Sequence, residues 1–212
     1  MKKRVFLLAV SCKNGGLCPG GIDMDNPKEW IRIVRNDGKS GAVQGFEIDF
    51  AKPLDIIEFD GHSVPQGVQK ENWVIDNMSC KKVGTESIAK VKEVYAVYGY
   101  HGYWNNWRPY LSEEEFQNIS QPSETLLSVT DVRIYKNDLG KAKIDFSWTG
   151  SRFPIKGVSL TDQDFYSDID EGNAVCYNQA IIVISIPRYA DWTHPDTGEK
   201  RAYKFVSKVF QI

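Results

Sequence analysis

The chain has 212 residues, of which 42% are hydrophobic and 25% charged, and a chain of this size and composition buries enough apolar surface to fold without disulfides. The formal net charge is −2, so any attraction for a polyanion has to come from a local basic surface. No stretch approaches the ~20 apolar residues of a membrane helix. These properties exclude a disordered chain, a fibre and a membrane-spanning helix.

The chain begins with basic residues followed by a short apolar run. Residues 5–10 are apolar, but the run is shorter than the ~7–15 residues of a secretory signal core, so we expect residues 4–11 to form a buried strand. The four cysteines are Cys12, Cys18, Cys80 and Cys176. Their spacing is not that of a zinc site, and no histidine is near the first two. We therefore expect a reduced, cytoplasmic protein with no membrane association, no metal and no cofactor.

The first half of the chain is rich in predicted strands. Strands are predicted at residues 4–11, 30–34, 42–48 and 54–60 from their apolar and β-branched residues. Apolar residues recur at helical spacing between residues 86 and 98, which predicts a helix. Ser112 with Glu115 forms a capping-box pattern, which predicts the start of a second, short helix.

The second half predicts a meander of strands. Ala142, Ile144 and Phe146 alternate with polar residues, which is typical of a strand with one buried face. Thr161 or Asp162 is placed to cap a short helix that extends to about Ile169. Strands are predicted at residues 126–136, 142–149, 152–158, 180–187 and 202–210. The order of three strands, a helix and two strands is that of the five-stranded oligonucleotide/oligosaccharide-binding (OB) barrel.

Three sequence blocks resemble a bacterial family with a dual OB-containing domain. The blocks are residues 10–21 with 30–34, residues 69–76, and residues 157–162 with 203–206. The resemblance implies a mainly β fold of two small five-stranded OB-like barrels in tandem with a few short helices. It further implies a nucleic-acid-associated protein, in a mobile-element or defence setting, without an assigned catalytic residue. We place the N-terminal barrel, its following helix and an aromatic linker in residues 1–110, and the C-terminal barrel in residues 111–212.

The connection between the last two predicted strands has the composition of a single-strand-binding surface. Such a surface needs aromatic faces for bases and cations for phosphates. The connection spans residues 187–201, and we expect Lys204 and Lys208 to continue its positive charge along one strand face. The candidate nucleic-acid-binding residues here are Arg188, Tyr189, Trp192, His194, Lys200, Arg201 and Lys204, to which we add Arg152.

A second basic patch is predicted near the glycines of residues 15–21. Lys13, Lys28, Arg32 and Arg35 are its candidate cations, and Lys13, Arg32 and Arg35 are assigned to nucleic-acid binding. The glycines allow close approach of backbone N–H groups to a phosphate, but no GxxxxGK[ST] or GxGxxG motif accompanies them. A solvated basic face and a plain strand connection are the alternatives.

The sequence is also compatible with other functions. Residues 98–110 are rich in aromatic side chains, which suit a stacking platform or, as we favour, packing between the two barrels. The sequence lacks the Gly-x-Ser-x-Gly and His-Glu-x-x-His motifs, so we expect a non-enzymatic protein that binds single-stranded DNA or RNA. A protein-interaction or adaptor module is the first alternative. A nucleotide-directed hydrolase that uses Cys12 or Cys18 is the least favoured.

Overall fold

The computed structural model describes residues 1–13, 16–35, 42–43, 48–98, 106–149, 151–165, 169 and 173–212. The chain divides into two compact units, Met1–Gly99 and Tyr100–Ile212. The sequence predicts the boundary between the two domains at residue 110. Within the described residues, no helix has the length and apolar character needed to span a bilayer.

The N-terminal unit contains six strands and a helix. They are β1 (Lys2–Lys13), β2 (Gly16–Asp23), β3 (Trp30–Ile33), β4 (Asp55–Ser63), β5 (Asn72–Ile75), β6 (Lys81–Thr85) and α1 (Ile88–Tyr98). The sheet order is β1-β2-β3-β5-β4, and β4 also pairs with β1, so five strands form a closed ring, with β6 added on β4. β3 and β5 are parallel. This is the strand order of an OB barrel.

Strand β2 is absent from the sequence prediction because its residues are unusual for a strand. Its sequence is GLCPGGID, and glycine and proline are depleted in strands. The glycines are needed because β1 and β2 approach closely: a Cβ on Gly21 would lie 2.1 Å from the carbonyl oxygen of Phe6. The barrel interior is filled by alternate residues of the neighbouring strands, such as Leu7, Ile31 and Phe59.

The C-terminal unit contains a second closed barrel and a small additional sheet. Its elements are β7 (Tyr110–Ser112), α2 (Glu113–Gln117), β8 (Glu124–Lys136), β9 (Ala142–Ser147), β10 (Ile155–Leu160), a 3₁₀ turn (Gln163–Phe165), β11 (Val175–Ser185), β12 (Trp192–Thr193), β13 (Lys200–Tyr203) and β14 (Phe205–Gln211). The barrel order is β10-β14-β11-β8-β9, with β10 and β14 parallel. Counted within the unit, this order is the same as in the first barrel.

Several local predictions are confirmed in this unit. β9 alternates buried and half-buried residues as its sequence predicts. Ser112 caps α2, and Glu115 returns the bond to the Ser112 backbone N–H, which is the predicted capping box. The mainly β class and the two barrels are confirmed as well.

Three predicted elements differ from the structure or extend beyond the described residues. The strand predicted at 202–210 is interrupted between β13 and β14 at Lys204, whose side chain is fully buried. The helix predicted from residue 161 is described only as the 3₁₀ turn, and most of residues 166–172 lie outside the described part. Within the strand predicted at 42–48, Val43 forms a β-bridge with Leu17. Residues 44–47 also lie outside the described part of the chain.

Candidate nucleic-acid interface

The connection between β11 and β14, the fourth and fifth strands of the C-terminal barrel, contains β12 and β13, and β7 pairs with β13 to complete a three-stranded sheet. Its order is β12-β13-β7, and we call it the hairpin sheet. Leu111 and Ala202 pair across it and are fully buried. Because side chains alternate between the two faces of a strand, Tyr110 and Tyr203 lie on the opposite face, where they also pair.

Four aromatic side chains meet in the hairpin sheet. The ring centroids of Tyr110 and Tyr203 are 5.7 Å apart, and Trp192 packs at 90° to Tyr203, with centroids 5.1 Å apart. His194 packs at 87° to Trp192, at 5.6 Å. Edge-to-face packing at these distances is a favourable arrangement for aromatic rings. Trp192 remains 40% exposed, so part of its surface is accessible to a ligand.

Two arginines add cationic groups to these rings. The Arg201 guanidinium carbon lies 4.1 Å from the centroid of Tyr110 and 5.9 Å from that of Trp192. The Arg108 guanidinium carbon lies 5.0 Å from the centroid of Tyr110. The hairpin sheet therefore combines the aromatic rings and cations that single-strand binding requires.

Each cation of the hairpin sheet is paired with a carboxylate. The pairs are Arg108 with Glu115 at 2.5 Å, Arg201 with Glu199 at 2.7 Å, and Lys200 with Glu113 at 3.5 Å. Burial tends to raise the pKa of Glu115, but hydrogen bonds from Ser112 and Asn106 and the charge of Arg108 outweigh it and keep this pKa below its usual value. The sheet thus presents aromatic surface with nearly balanced charge.

Hydrogen bonds fix the loop that joins β12 and β13. The His194 N–H donates to the Glu199 carbonyl, and the Gly198 N–H donates to the His194 carbonyl. Gly198 has a φ of +68°, a conformation that glycine adopts without strain. The Asp196 N–H donates to Nδ1 of His194 at 3.2 Å. The loop therefore holds His194 in place beside Trp192.

Lys204 does not join this surface, contrary to the prediction of an exposed basic strand. Its side chain is fully buried, and its ammonium group donates to Asn106 Oδ1 at 2.7 Å and to the Arg108 carbonyl at 3.0 Å. Burial lowers the pKa of Lys204 to about 6, although the charge of Glu115 opposes this shift. The residue ties the segment before β7 to the start of β14, and a phosphate does not reach it.

Lys208 is likewise buried and forms part of the barrel's framework. Its Nζ lies 3.2 Å from Asp162 Oδ1, and it also contacts Asp164. Asp162 accepts the Val209 N–H at 2.9 Å. Burial raises the pKa of Asp162, and the charge of Lys208 opposes this. The positive charge of Lys208 is therefore engaged by Asp162 and Asp164.

The remaining predicted residues of the C-terminal unit lie on exposed loops. Arg188 stacks on Tyr189, with the guanidinium carbon 4.7 Å from the ring centroid, and both precede β12. Arg152 lies in the connection between β9 and β10, 5.9 Å from the centroid of the Phe153 ring. Arg188 and Tyr189 thus share the β11–β14 connection with the hairpin sheet, whereas Arg152 belongs to a different loop.

Of the residues assigned to the predicted N-terminal patch, Arg32 does not present its cation to solvent. Arg32 is buried on β3, and its Nε lies 3.6 Å from Glu71. Arg35 and Lys28 are exposed. Lys13 ends β1, but its side chain lies outside the described part of the chain, as do residues 14–15 of the glycine loop.

The outer faces of β9 and β10 carry polar groups and no aromatic ring within residues 142–147 and 155–160. Lys143 donates to the Ser159 hydroxyl at 3.0 Å, and burial lowers its pKa, with Lys141 acting in the same direction. On the adjacent β8, Tyr135 donates to Asp145 at 3.1 Å. The aromatic surface of this unit is therefore in its connections and not on these strand faces.

Two residues of the hairpin sheet, Tyr110 and Tyr203, and the adjacent Arg108 were not predicted as site residues. Tyr110 and Arg108 belong to the aromatic stretch that we assigned to packing between barrels, and residues 99–105 of that stretch lie outside the described part. Tyr203 was assigned to a regular strand. The pairing of β12 with β13 brings Tyr203 to Trp192, and the pairing of β13 with β7 adds Tyr110. The available signal was the continuation of aromatic residues on both sides of the predicted loop.

The described residues contain no group of three or more His, Cys, Asp or Glu side chains arranged to hold a metal ion. The arrangement of the hairpin sheet is suited to planar ligands and to binding by stacking.

The sequence was compared with known proteins. Residues 3–209 match the family described as the dual OB-containing domain. No curated protein matches the sequence. Among solved structures, the "Crystal structure of the tetrameric p202 HIN2" aligns at 12% identity with a TM-score of 0.32, covering 97% of this chain and 91% of that chain. On the match over nearly its whole length, the chain belongs to the dual OB-containing domain family.

Proposed function

We propose that this protein binds single-stranded nucleic acid, DNA or RNA, through the hairpin sheet of its C-terminal barrel. The connection between the fourth and fifth strands is one of the regions through which OB barrels contact oligonucleotides. The observation that carries the proposal is the cluster of Tyr110, Trp192 and Tyr203 with Arg201 placed over two of the rings.

Stacking supplies most of the affinity in this proposal. A base stacked on an aromatic side chain contributes about 1–3 kcal/mol. Phosphate attraction from the hairpin sheet is small, because Arg108, Lys200 and Arg201 already face carboxylates. Binding is accordingly tolerant of base sequence, since every base has a π-face.

The proposal is of a binding module without catalytic activity. The hairpin sheet offers rings and paired charges, and neither activates a water molecule or a substrate group for attack. A cytoplasmic location goes with it, because a reducing compartment keeps an exposed thiol such as that of Cys176 reduced. Intact oligonucleotide after prolonged incubation is the expected result, and cleavage would contradict this part of the proposal.

Fluorescence anisotropy with labelled mixed-sequence DNA and RNA oligonucleotides tests the proposal. We expect the wild-type chain to bind, and Trp192→Ala to weaken binding about 5- to 100-fold through the loss of one stacked base. Phe50→Ala is the matched control, because Phe50 has similar exposure, 38% against 40% for Trp192, but lies in the N-terminal unit. Absence of binding by the wild-type chain at low salt would overturn the proposal.

The balanced charge of the hairpin sheet also favours a second candidate function, the binding of a protein partner. Interfaces between proteins are enriched in Tyr, Trp and Arg, and all three occur here. This function would be supported in place of the first by a defined protein partner that binds stoichiometrically. Nuclease treatment should leave that binding unchanged, and Trp192→Ala should abolish it.

A further inference from the structure

Phe153, in the connection between β9 and β10, and Trp107, which precedes β7, form an exposed aromatic pair. Trp107 is 59% and Phe153 56% exposed, and they are the two most exposed aromatic side chains among the described residues. Their ring centroids are 6.5 Å apart at an interplanar angle of 63°. Edge-on packing of this kind leaves ring faces open to solvent.

Hydrogen bonds hold both rings in place. The Ser151 hydroxyl donates to the Phe153 carbonyl at 2.8 Å and accepts from the Phe153 N–H at 3.3 Å. On the other side, the Arg108 N–H donates to Asn106 Oδ1 at 3.0 Å, which fixes the backbone beside Trp107. The rings are thus exposed by a defined loop conformation.

The cations near this pair differ from those of the hairpin sheet. Arg152 lies over the Phe153 ring, and Lys156 is exposed on β10. Across the described residues, no carboxylate forms an ion pair with either cation, whereas Arg108, Lys200 and Arg201 are all paired. These two cations without an ion-pair partner therefore lie in the β9–β10 loop and at the start of β10, and not on the hairpin sheet.

We propose that Trp107, Arg152, Phe153 and Lys156 extend the binding track of the hairpin sheet, with the rings stacking on a base and the cations binding phosphates of the same single strand. This inference rests on the proposed function. Trp107 precedes Tyr110 by three residues, so their Cα atoms lie within about 11 Å of each other. A strand stacked on the hairpin sheet passes Trp107 within a few nucleotides.

The division of roles predicts different effects on salt dependence and on affinity. Each phosphate contact to a single strand contributes about −0.7 to the slope of log K against log salt. We expect the double variant Arg152→Gln/Lys156→Gln to flatten the slope by about 1.4. Phe153→Ala and Trp107→Ala are expected to weaken binding about 5- to 100-fold without a change in slope.

Anisotropy titrations at several salt concentrations, with DNA oligonucleotides of about 4 and about 16 nucleotides, measure these effects. The affinity gained by lengthening the oligonucleotide should be lost in Phe153→Ala. Lys141→Gln is the charge control, because Lys141 is also exposed but lies in the β8–β9 turn. Near-UV circular dichroism confirms that each variant is folded, and the exposed Arg152→Gln/Lys156→Gln pair tests the inference independently if Trp107→Ala does not fold.

The outcomes separate this inference from the proposed function. If Trp192→Ala weakens binding while the Arg152/Lys156 and Phe153 variants bind with wild-type affinity and slope, the track does not include the β9–β10 loop and the inference is overturned. If the wild-type chain binds no oligonucleotide, the proposed function fails as well.

Discussion

The two barrels share one strand order but differ in the connection between their fourth and fifth strands. In the N-terminal barrel this connection is short, and a bridge between Gln66 and Gln69 closes it, with Gly67 at a φ of 58°. In the C-terminal barrel it contains β12 and β13, which pair with β7. The barrel is thus a scaffold fixed by strand pairing, and its chemistry depends on what the connection carries.

Each barrel also contains an ion pair whose carboxylate is buried. In the N-terminal barrel Lys3 pairs with Asp23 at 2.5 Å and lies 4.7 Å from the centroid of Trp73. In the C-terminal barrel Lys208 pairs with Asp162 at 3.2 Å. Both pairs connect a strand to a different part of the chain. The residues of these pairs are different from those that form the aromatic surface of the hairpin sheet.

The largest effect is expected from removing one partner of a buried ion pair. Lys208→Ala leaves Asp162 buried without its cation, and Lys3→Ala does the same to Asp23, so each should lower the free energy of unfolding by about 3–5 kcal/mol. Urea titration at neutral pH measures this. Lys2→Ala is the control, because Lys2 pairs with Glu58 at the surface, and it should change stability little. An equally small effect of Lys208→Ala would contradict a framework role for that pair.

Glycine substitutions should separate steric from conformational requirements in the two barrels. Gly21→Ala forces β1 and β2 apart, because the new Cβ meets backbone, and should destabilise by about 3 kcal/mol. At Gly157 in the second barrel a new Cβ meets open space, but the φ is +69°. Gly157→Ala should therefore lower the free energy of unfolding by about 1–2 kcal/mol. Gly84→Ala is the control, since its Cβ makes ordinary contact with Ile56. Denaturant midpoints measure the stability of all three variants. If Gly21→Ala were not the most destabilised of them, the packing of β1 on β2 would adjust to a methyl group.

The buried ammonium of Lys204 should give the C-terminal barrel a dependence on pH. The folded chain releases this proton near its pKa of about 6, whereas the unfolded chain retains it to about 10.4. Unfolding then takes up a proton between these values, so stability rises with pH by up to about 1.4 kcal/mol per pH unit. Urea titrations of wild type and Lys204→Met between about pH 6.5 and 8.5 measure the difference in slope, and parallel slopes would contradict it. Burial raises the pKa of the Cys80 thiol to about 12. The effect of Cys80 on the pH dependence of stability is the same in wild type and in Lys204→Met.

The smallest effect is expected from the N-terminal barrel. Arg35 is exposed, but no aromatic cluster like that of the hairpin sheet is found among the described residues of its unit, so Arg35→Gln should change oligonucleotide affinity by about twofold at most. The anisotropy assay that tests Trp192→Ala measures this too. A larger loss would place a second binding site in the first barrel and remove the functional contrast between the two.

Strands with a regular alternation were predictable because burial of one face leaves a period of two in the sequence. β9 and the capping box of Ser112 and Glu115 are examples. β2 was not predictable, since its requirement for glycine comes from the close approach of β1, a contact between chain segments that local propensity does not record. The equivalence of the two barrels also became visible only in the strand order.

The candidate site was predictable in part. Composition marked the connection around Trp192 and Arg201, because rings and cations were concentrated there. It did not separate Lys200, which is exposed, from Lys204, which is buried, since a lysine's environment depends on what packs against it. Tyr110 entered the site only through a strand pairing with residues far along the chain.

By itself, the sequence determined the class of the fold, the buried faces of its regular strands and the region where aromatic and basic residues gather, because these depend on composition and local period. The tertiary structure decided which charges are accessible, which are paired and which rings share a surface. Those properties depend on contacts between segments distant in sequence, where burial and charge pairing act over a few ångströms and leave no local pattern.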